Sequence, residues 1–107
     1  MSRNTSPVGE AHMPILRIEH PVPDFDAWKQ AFDSDPLDRK RSGVRRYRIL
    51  RSLDDPNYAI VDLEFDDADA AESMRVALQQ MWTRVQGEGL IGDQVARLVE
   101  PVDFKEY

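Results

Sequence analysis

Between residues 14 and 102 the spacing of apolar residues switches between two periods, and the order of the switches restricts the fold more than any other property of the chain. Residues 14–20 (PILRIEH) are aliphatic, partly β-branched and closed by Pro21 and Pro23, which predicts a strand. Phe25, Trp28 and Phe32 then recur at spacings of three and four, predicting a helix that Asp24 can cap. It should stop near Asp35, because Pro36 disfavours the α conformation in the residue before it. Gly43 opens the alternating stretch VRRYRILRS, the turn Asp54-Asp55-Pro56-Asn57 follows, and residues 58–65 alternate again, so this segment predicts a hairpin. A second helix can be capped by Asp66 or Asp67, with Asp69 and Glu72 complementing its dipole. Its apolar stripe is Ala71, Met74, Leu78, Met81, Trp82 and Val85, and Gly87 and Gly89 end it. Residues 94–102 predict a last strand.

The order β-α-β-β-α-β is the split βαβ plan: an α+β, ferredoxin-like sandwich with a four-stranded antiparallel sheet and two helices on one face. Right-handed crossovers place the first and third strands at the centre of that sheet. A chain of 107 residues has room for one such core. Residues 1–13 are expected to form a disordered arm, 14–102 the domain and 103–107 a tail.

Alternation divides each strand between two faces. One face carries Leu16, Ile18 and His20, then Tyr47 and Ile49, then Ala59, Val61, Leu63 and Phe65, then Ala96 and Leu98, and this is the face the helices must cover. The other mixes Ile15, Arg17, Glu19, Arg46, Arg48, Leu50, Tyr58, Ile60, Asp62, Glu64, Val95, Arg97 and Val99. Its apolar members would form an exposed patch unless a partner covered them. Across the hairpin, parity allows Arg48 to face Asp62 and Arg46 to face Glu64, or the same set shifted by two.

That pairing bears on a local basic run, Arg39, Lys40, Arg41, Arg45, Arg46, Arg48 and Arg51, with Asp38 as the only acid between Leu37 and Leu53. Arg39 reads as a surface charge within it. A net charge of −6 opposes generic binding to nucleic acid or anionic membrane. RNA-recognition motifs share the element order and stack bases on exposed strand aromatics. Here Tyr58 matches one such position, but Ile60 occupies the next, the first strand has no aromatic, and Asp62 and Glu64 repel phosphate. The absence of cysteine excludes disulfides and thiolate chemistry and is consistent with a cytoplasmic protein.

The element order, the segment HPVPDFDAW (residues 20–28) and the hairpin GVRRYRILRSLDDPNYAIVDLEF (residues 43–65) resemble the dimeric α/β barrel superfamily. That group includes antibiotic biosynthesis monooxygenases, muconolactone isomerases and small polyketide cyclases. The resemblance implies a homodimer in which two sheets pack through the mixed face, with Arg17, Arg46, Arg48, Ile60, Asp62 and Glu64 at the interface. It also implies a ligand cavity between each sheet and its own helices. The tail bearing Phe104 and Tyr107 can reach over the partner or form a flexible end. The haem-degrading branch uses a strand asparagine and a histidine on the second helix, and this chain has neither. No cofactor is expected.

Within that frame the candidate catalytic residues are His20 and Tyr47. His20 is the only histidine inside the domain and stands at a strand end on the helix side, where a neutral imidazole can act as a base toward a phenolic or enolic substrate. The alternative is a hydrogen-bonded histidine closing a strand. Tyr47 can donate to a substrate oxygen or serve as a core tyrosine. Trp28, Phe32, Met74 and Trp82 are candidates to line a pocket for a flat aromatic ligand, although at helical spacing such residues also build cores. One usable histidine and scattered carboxylates do not converge on a metal site. The expected function is therefore a cofactor-independent monooxygenase or a cyclase or isomerase acting on an aromatic or polyketide-like compound, with a non-catalytic binding or assembly dimer as the alternative.

Overall fold

In a computed structural model of the chain, which describes residues 13–86 and 94–107 and only the backbone of 84–86, the elements follow the predicted order. They are β1 (Ile15–Pro21), α1 (Phe25–Asp33), β2 (Val44–Arg51), β3 (Tyr58–Phe65), α2 (Ala68–Gln86) and β4 (Val95–Val99). The expected arm of residues 1–13 lies outside the described residues except for Met13, as do Gly87, Gly89 and the side chain of Val85.

The strands form one antiparallel sheet in the order β2-β3-β1-β4, with β1 and β3 central. Ile18 pairs with Val61 on one side and Ala96 on the other, so the apolar rows align across the sheet. Leu16, Ile18, Val61, Leu63 and Phe65 are buried together with Ala71, Met74 and Trp82 of α2. Each large side chain so buried contributes about 1.5–3 kcal/mol. Val44 joins this core because the β2–β3 register shifts between Val44 and Arg46. One extra residue, Arg45, lets Val44 face inward with Phe65 while Arg46 faces outward with Glu64.

Local chemistry sets the helix ends. Asp67 is the cap of α2, its Oδ1 accepting the Ala70 amide at 2.8 Å. At α1 the expected side-chain cap by Asp24 is not made. Asn57, in the hairpin turn, supplies it instead, its Oδ1 accepting the Phe25 amide at 2.9 Å. α1 ends at Asp33, and Asp35 takes a left-handed φ of 57°, so the chain turns away just ahead of Pro36. β4 is shorter than residues 94–102 because its pairing with β1 runs out at Ile15 opposite Val99.

The two helices contribute unequally. α2 lies on the sheet, whereas α1 has no buried residue and is held through ring contacts. Among the described residues no helix is long and apolar enough to cross a membrane.

Candidate functional site

The space under α1 is a cavity of about 430 Å³, within the usual size of a small-molecule site. β1 and β3 give its floor through Ile18, His20, Val61 and Leu63, and α2 one wall through Met74, Leu78, Met81 and Trp82. α1 gives the other wall through Ala27, Trp28, Ala31 and Phe32, and the segment after it adds Leu37 and Arg39 to the lining.

His20 is the buried polar group of this lining, with 3% of its surface exposed. Its Nδ1 lies 3.2 Å from the carbonyl oxygen of Pro21, which assigns the ring proton to Nδ1 and leaves Nε2 as the free lone pair. Among the described residues Nε2 has no hydrogen-bond partner. Burial holds the imidazole pKa below its ordinary 6.5, outweighing the Pro21 contact that raises it. The ring is therefore neutral near pH 7 and meets Trp28 edge-on at 5.8 Å between centroids.

An aromatic row continues from there along α1. Trp28 stacks against Phe32 at 5.5 Å, and Phe32 meets Tyr47 of β2 at 5.0 Å. The Arg39 guanidinium lies 3.9 Å above the Phe32 ring and 5.0 Å from that of Tyr47, and it donates to the Phe32 carbonyl oxygen at 2.8 Å. Arg51 caps Phe25 at 4.8 Å.

On the opposite face of the sheet the charges pair as the hairpin parity allows, in its unshifted register. Arg48 lies opposite Asp62 and Arg46 opposite Glu64, at 3.2 and 2.7 Å between charged atoms. Arg17 adds a two-point bond, Nε and Nη2 each 2.8 Å from an oxygen of Asp62. Asp62 is buried, and the Arg17 hydrogen bonds, followed by that of Arg48, hold its carboxyl below the usual 3.8. The Tyr58 hydroxyl donates to Glu19, which also faces Arg97.

Solved structures share this architecture. A Nitrosomonas europaea protein provisionally described as an antibiotic biosynthesis monooxygenase has 18% identity, with 84% of this chain and 90% of that one covered and a TM-score of 0.63. A dimeric ferredoxin-like protein from an uncultured marine organism has 7% identity over 92% and 96% of the two chains, at a TM-score of 0.61. The chain has a ferredoxin-like fold. A nipsnap family protein of unknown function from Agrobacterium tumefaciens shares it too, with 16% identity over 89% and 93% and a TM-score of 0.60. No family profile matches the chain, and no curated protein matches it.

Within this ferredoxin-like frame the structure brings His20, Trp28, Phe32, Met74 and Trp82 to one cavity. Tyr47 shares their sheet face but stands behind Phe32, outside the lining and 45% exposed. Arg39 corrects the reading of the basic run, because its side chain is only 16% exposed and lines the cavity. Sequence reasoning missed it. The turn at Asp35 brings it back under the helix, with its amide on Asp35 Oδ1 at 2.9 Å, and the Asp35-Pro36 pair was the available signal for that turn.

Proposed function

We propose that two copies of the chain pair through the mixed sheet face, and that each binds a flat, largely apolar hydroxy-aromatic or enolic compound under α1, where His20 removes a proton. The observation that carries this reading is a neutral imidazole, buried in an apolar cavity, whose Nε2 is left free by the Pro21 contact of Nδ1. Trp28 and Phe32 offer ring faces to such a ligand, and Met74 and Trp82 offer an apolar wall.

Deprotonation is the first step common to the two chemistries considered. In an isomerase or cyclase, the resulting enolate carbon takes a proton elsewhere or attacks a carbonyl of the same molecule. In a monooxygenase, dioxygen is the co-reactant: the phenolate gains one oxygen atom at a ring C–H carbon, which becomes a quinone carbonyl, and the other oxygen leaves as water. Neither route requires a bound cofactor. The dimer is supported by the dimeric state in the name of one structural neighbour and by Val95 and Val99 standing 47% and 39% exposed on the mixed face. The cysteine-free composition supports a cytoplasmic setting.

A second reading, ligand binding without turnover, is favoured by the position of Tyr47 outside the cavity, which leaves His20 without the hydroxyl donor expected beside it. Titration of the protein with planar phenols and quinols, followed by tryptophan fluorescence and product analysis, separates the two. Catalysis by His20 predicts turnover that His20→Gln abolishes while the fold is retained. Equal binding by both proteins with no product supports the binding reading, and absence of any binding refutes the cavity assignment.

A further inference from the structure

Arg39 is held in the cavity by contacts that leave part of its guanidinium unengaged. Its amide donates to Asp35 Oδ1 at 2.9 Å, and its Nη1 donates to the Phe32 carbonyl oxygen at 2.8 Å. Nη1 is also 3.5 Å from Asp35 Oδ1, longer than a charge-assisted hydrogen bond, and that oxygen already accepts the amide. Among the described residues Nε and Nη2 have no hydrogen-bond partner. These two nitrogens form the edge that takes a carboxylate at two points, as Arg17 does with Asp62 and Arg75 with Glu72. The Arg39 side chain is only 16% exposed, so its charge is largely removed from water without the two-point partner those arginines have.

The charges of the lining are separated along α1. Arg39 stands over Phe32, whereas His20 meets Trp28, one helical turn nearer the start of the helix and about 6 Å of rise away. Asp24, at that start, also lines the cavity, and with Asn57 taking the Phe25 amide its carboxylate has no hydrogen bond or ion pair among the described residues. Ser34 donates its hydroxyl to the Ala31 carbonyl oxygen at 2.6 Å. Asp35 offsets part of the Arg39 charge, but its side chain is 36% exposed, so water screens it more than it screens Arg39. An anionic group in this cavity is therefore attracted at the Arg39 end and repelled at the Asp24 end.

We propose that Arg39 determines the specificity of the cavity: its Nε–Nη2 edge takes a carboxylate of the ligand, which makes the ligand a flat hydroxy-aromatic or enolic acid. This rests on the ligand reading above and narrows it from a largely apolar compound to an anionic one. The acid lies at the Phe32 end and the hydroxyl points toward His20, a spacing that one or two fused rings bridge. Arg39 takes no part in proton removal. It acts as a positioning residue, since fixing the acid sets where the hydroxyl stands against Nε2.

Calorimetric titration of the full chain at neutral pH tests this with two compounds, a naphthol and a hydroxynaphthoate whose carboxylate stands at the far end of the ring pair from its hydroxyl. Wild type should bind the hydroxynaphthoate at least about tenfold more tightly than the naphthol, the gain expected of charge-assisted hydrogen bonds. Arg39→Gln should abolish that preference by weakening the acid alone, with naphthol affinity kept within about twofold. Arg39→Lys, which keeps the charge without the two-point edge, should retain only part of the preference. An unchanged preference in either variant overturns the proposal, and so does an Arg39→Gln protein that loses both compounds alike, which would mark Arg39 as purely structural. Wild type that binds the naphthol as tightly as the acid overturns the anionic assignment and leaves the cavity reading standing. Wild type that binds neither overturns both.

Discussion

Arg17→Met isolates the one buried carboxylate of the mixed face. Removing one partner of a fully buried ion pair costs about 3–5 kcal/mol, because the other charge is left desolvated and unpaired. Here Arg17 is itself 39% exposed, and Arg48 still lies 3.2 Å from Asp62 after the change, so roughly half that value, about 2 kcal/mol, is expected. The comparison is Arg46→Met, where Arg46 is 70% and Glu64 26% exposed, and the loss should stay below about 0.5 kcal/mol. Urea denaturation at one fixed protein concentration gives both values, the fixed concentration keeping any association constant between variants. The pH dependence supplies an independent sign. Because the folded-state pKa of Asp62 is held below 3.8, its contribution is fully present above that value and is lost as pH falls through the lower folded value. The gap between wild type and Arg17→Met should therefore be wide at neutral pH and close in acid. Asp62→Leu combined with Arg17→Met should recover most of the loss, since no buried charge is left. Equal losses for Arg17→Met and Arg46→Met, or a gap that does not change with pH, would refute the reasoning.

His20 has a folded pKa below 6.5, so wild-type stability should fall as pH drops from 6.5 toward that lower value; His20→Gln should remove this step from the stability–pH curve. Arg48→Glu sets a carboxylate against Asp62 and should weaken the proposed dimer more than Arg41→Glu at an 88% exposed side chain, as read by analytical ultracentrifugation; equal effects would contradict the face assignment. Gly43→Ala meets only ordinary contacts, with Ala70 Cβ at 3.5 Å, so its cost should come from the backbone φ of +103°, about 1–2 kcal/mol by thermal melting. Met74→Ala should cost about 2–5 kcal/mol and also enlarge the cavity, measured as a lower denaturation midpoint and altered ligand affinity.

Strand parity made most of the fold legible. Leu16, Ile18, Val61 and Leu63 could be placed on one face and Arg48 and Asp62 on the other from alternation alone, and the register agrees. What alternation could not show is the bulge at Arg45, because an extra residue leaves no mark in a run where Arg45 and Arg46 are chemically alike. Capping illustrates a second limit. Asp24 has the right chemistry for the start of α1, but Asn57 is brought there by the hairpin and takes the amide, a long-range outcome that helix-start patterns do not contain. In the cavity, periodicity pointed to Trp28, Phe32, Met74 and Trp82, since residues that face a sheet also face whatever space the sheet leaves unfilled. Arg39 escaped because its place depends on the left-handed turn at Asp35, and Tyr47 shares the face of His20 without reaching the cavity because Phe32 stands between them.

α1 buries none of its residues, yet it supplies one whole wall of the cavity. Stability and cavity shape are thus written in different stretches of the chain: β1, β3 and α2 hold the molecule together, while α1 and the turn after it shape the cavity. Mutations at Ala27 or Ala31 can reshape the cavity at small folding cost, whereas the same latitude at Val61 or Leu63 would cost the core itself. If the proposed ligand binds there, a scaffold divided in this way can exchange it for another by drift along a single helix.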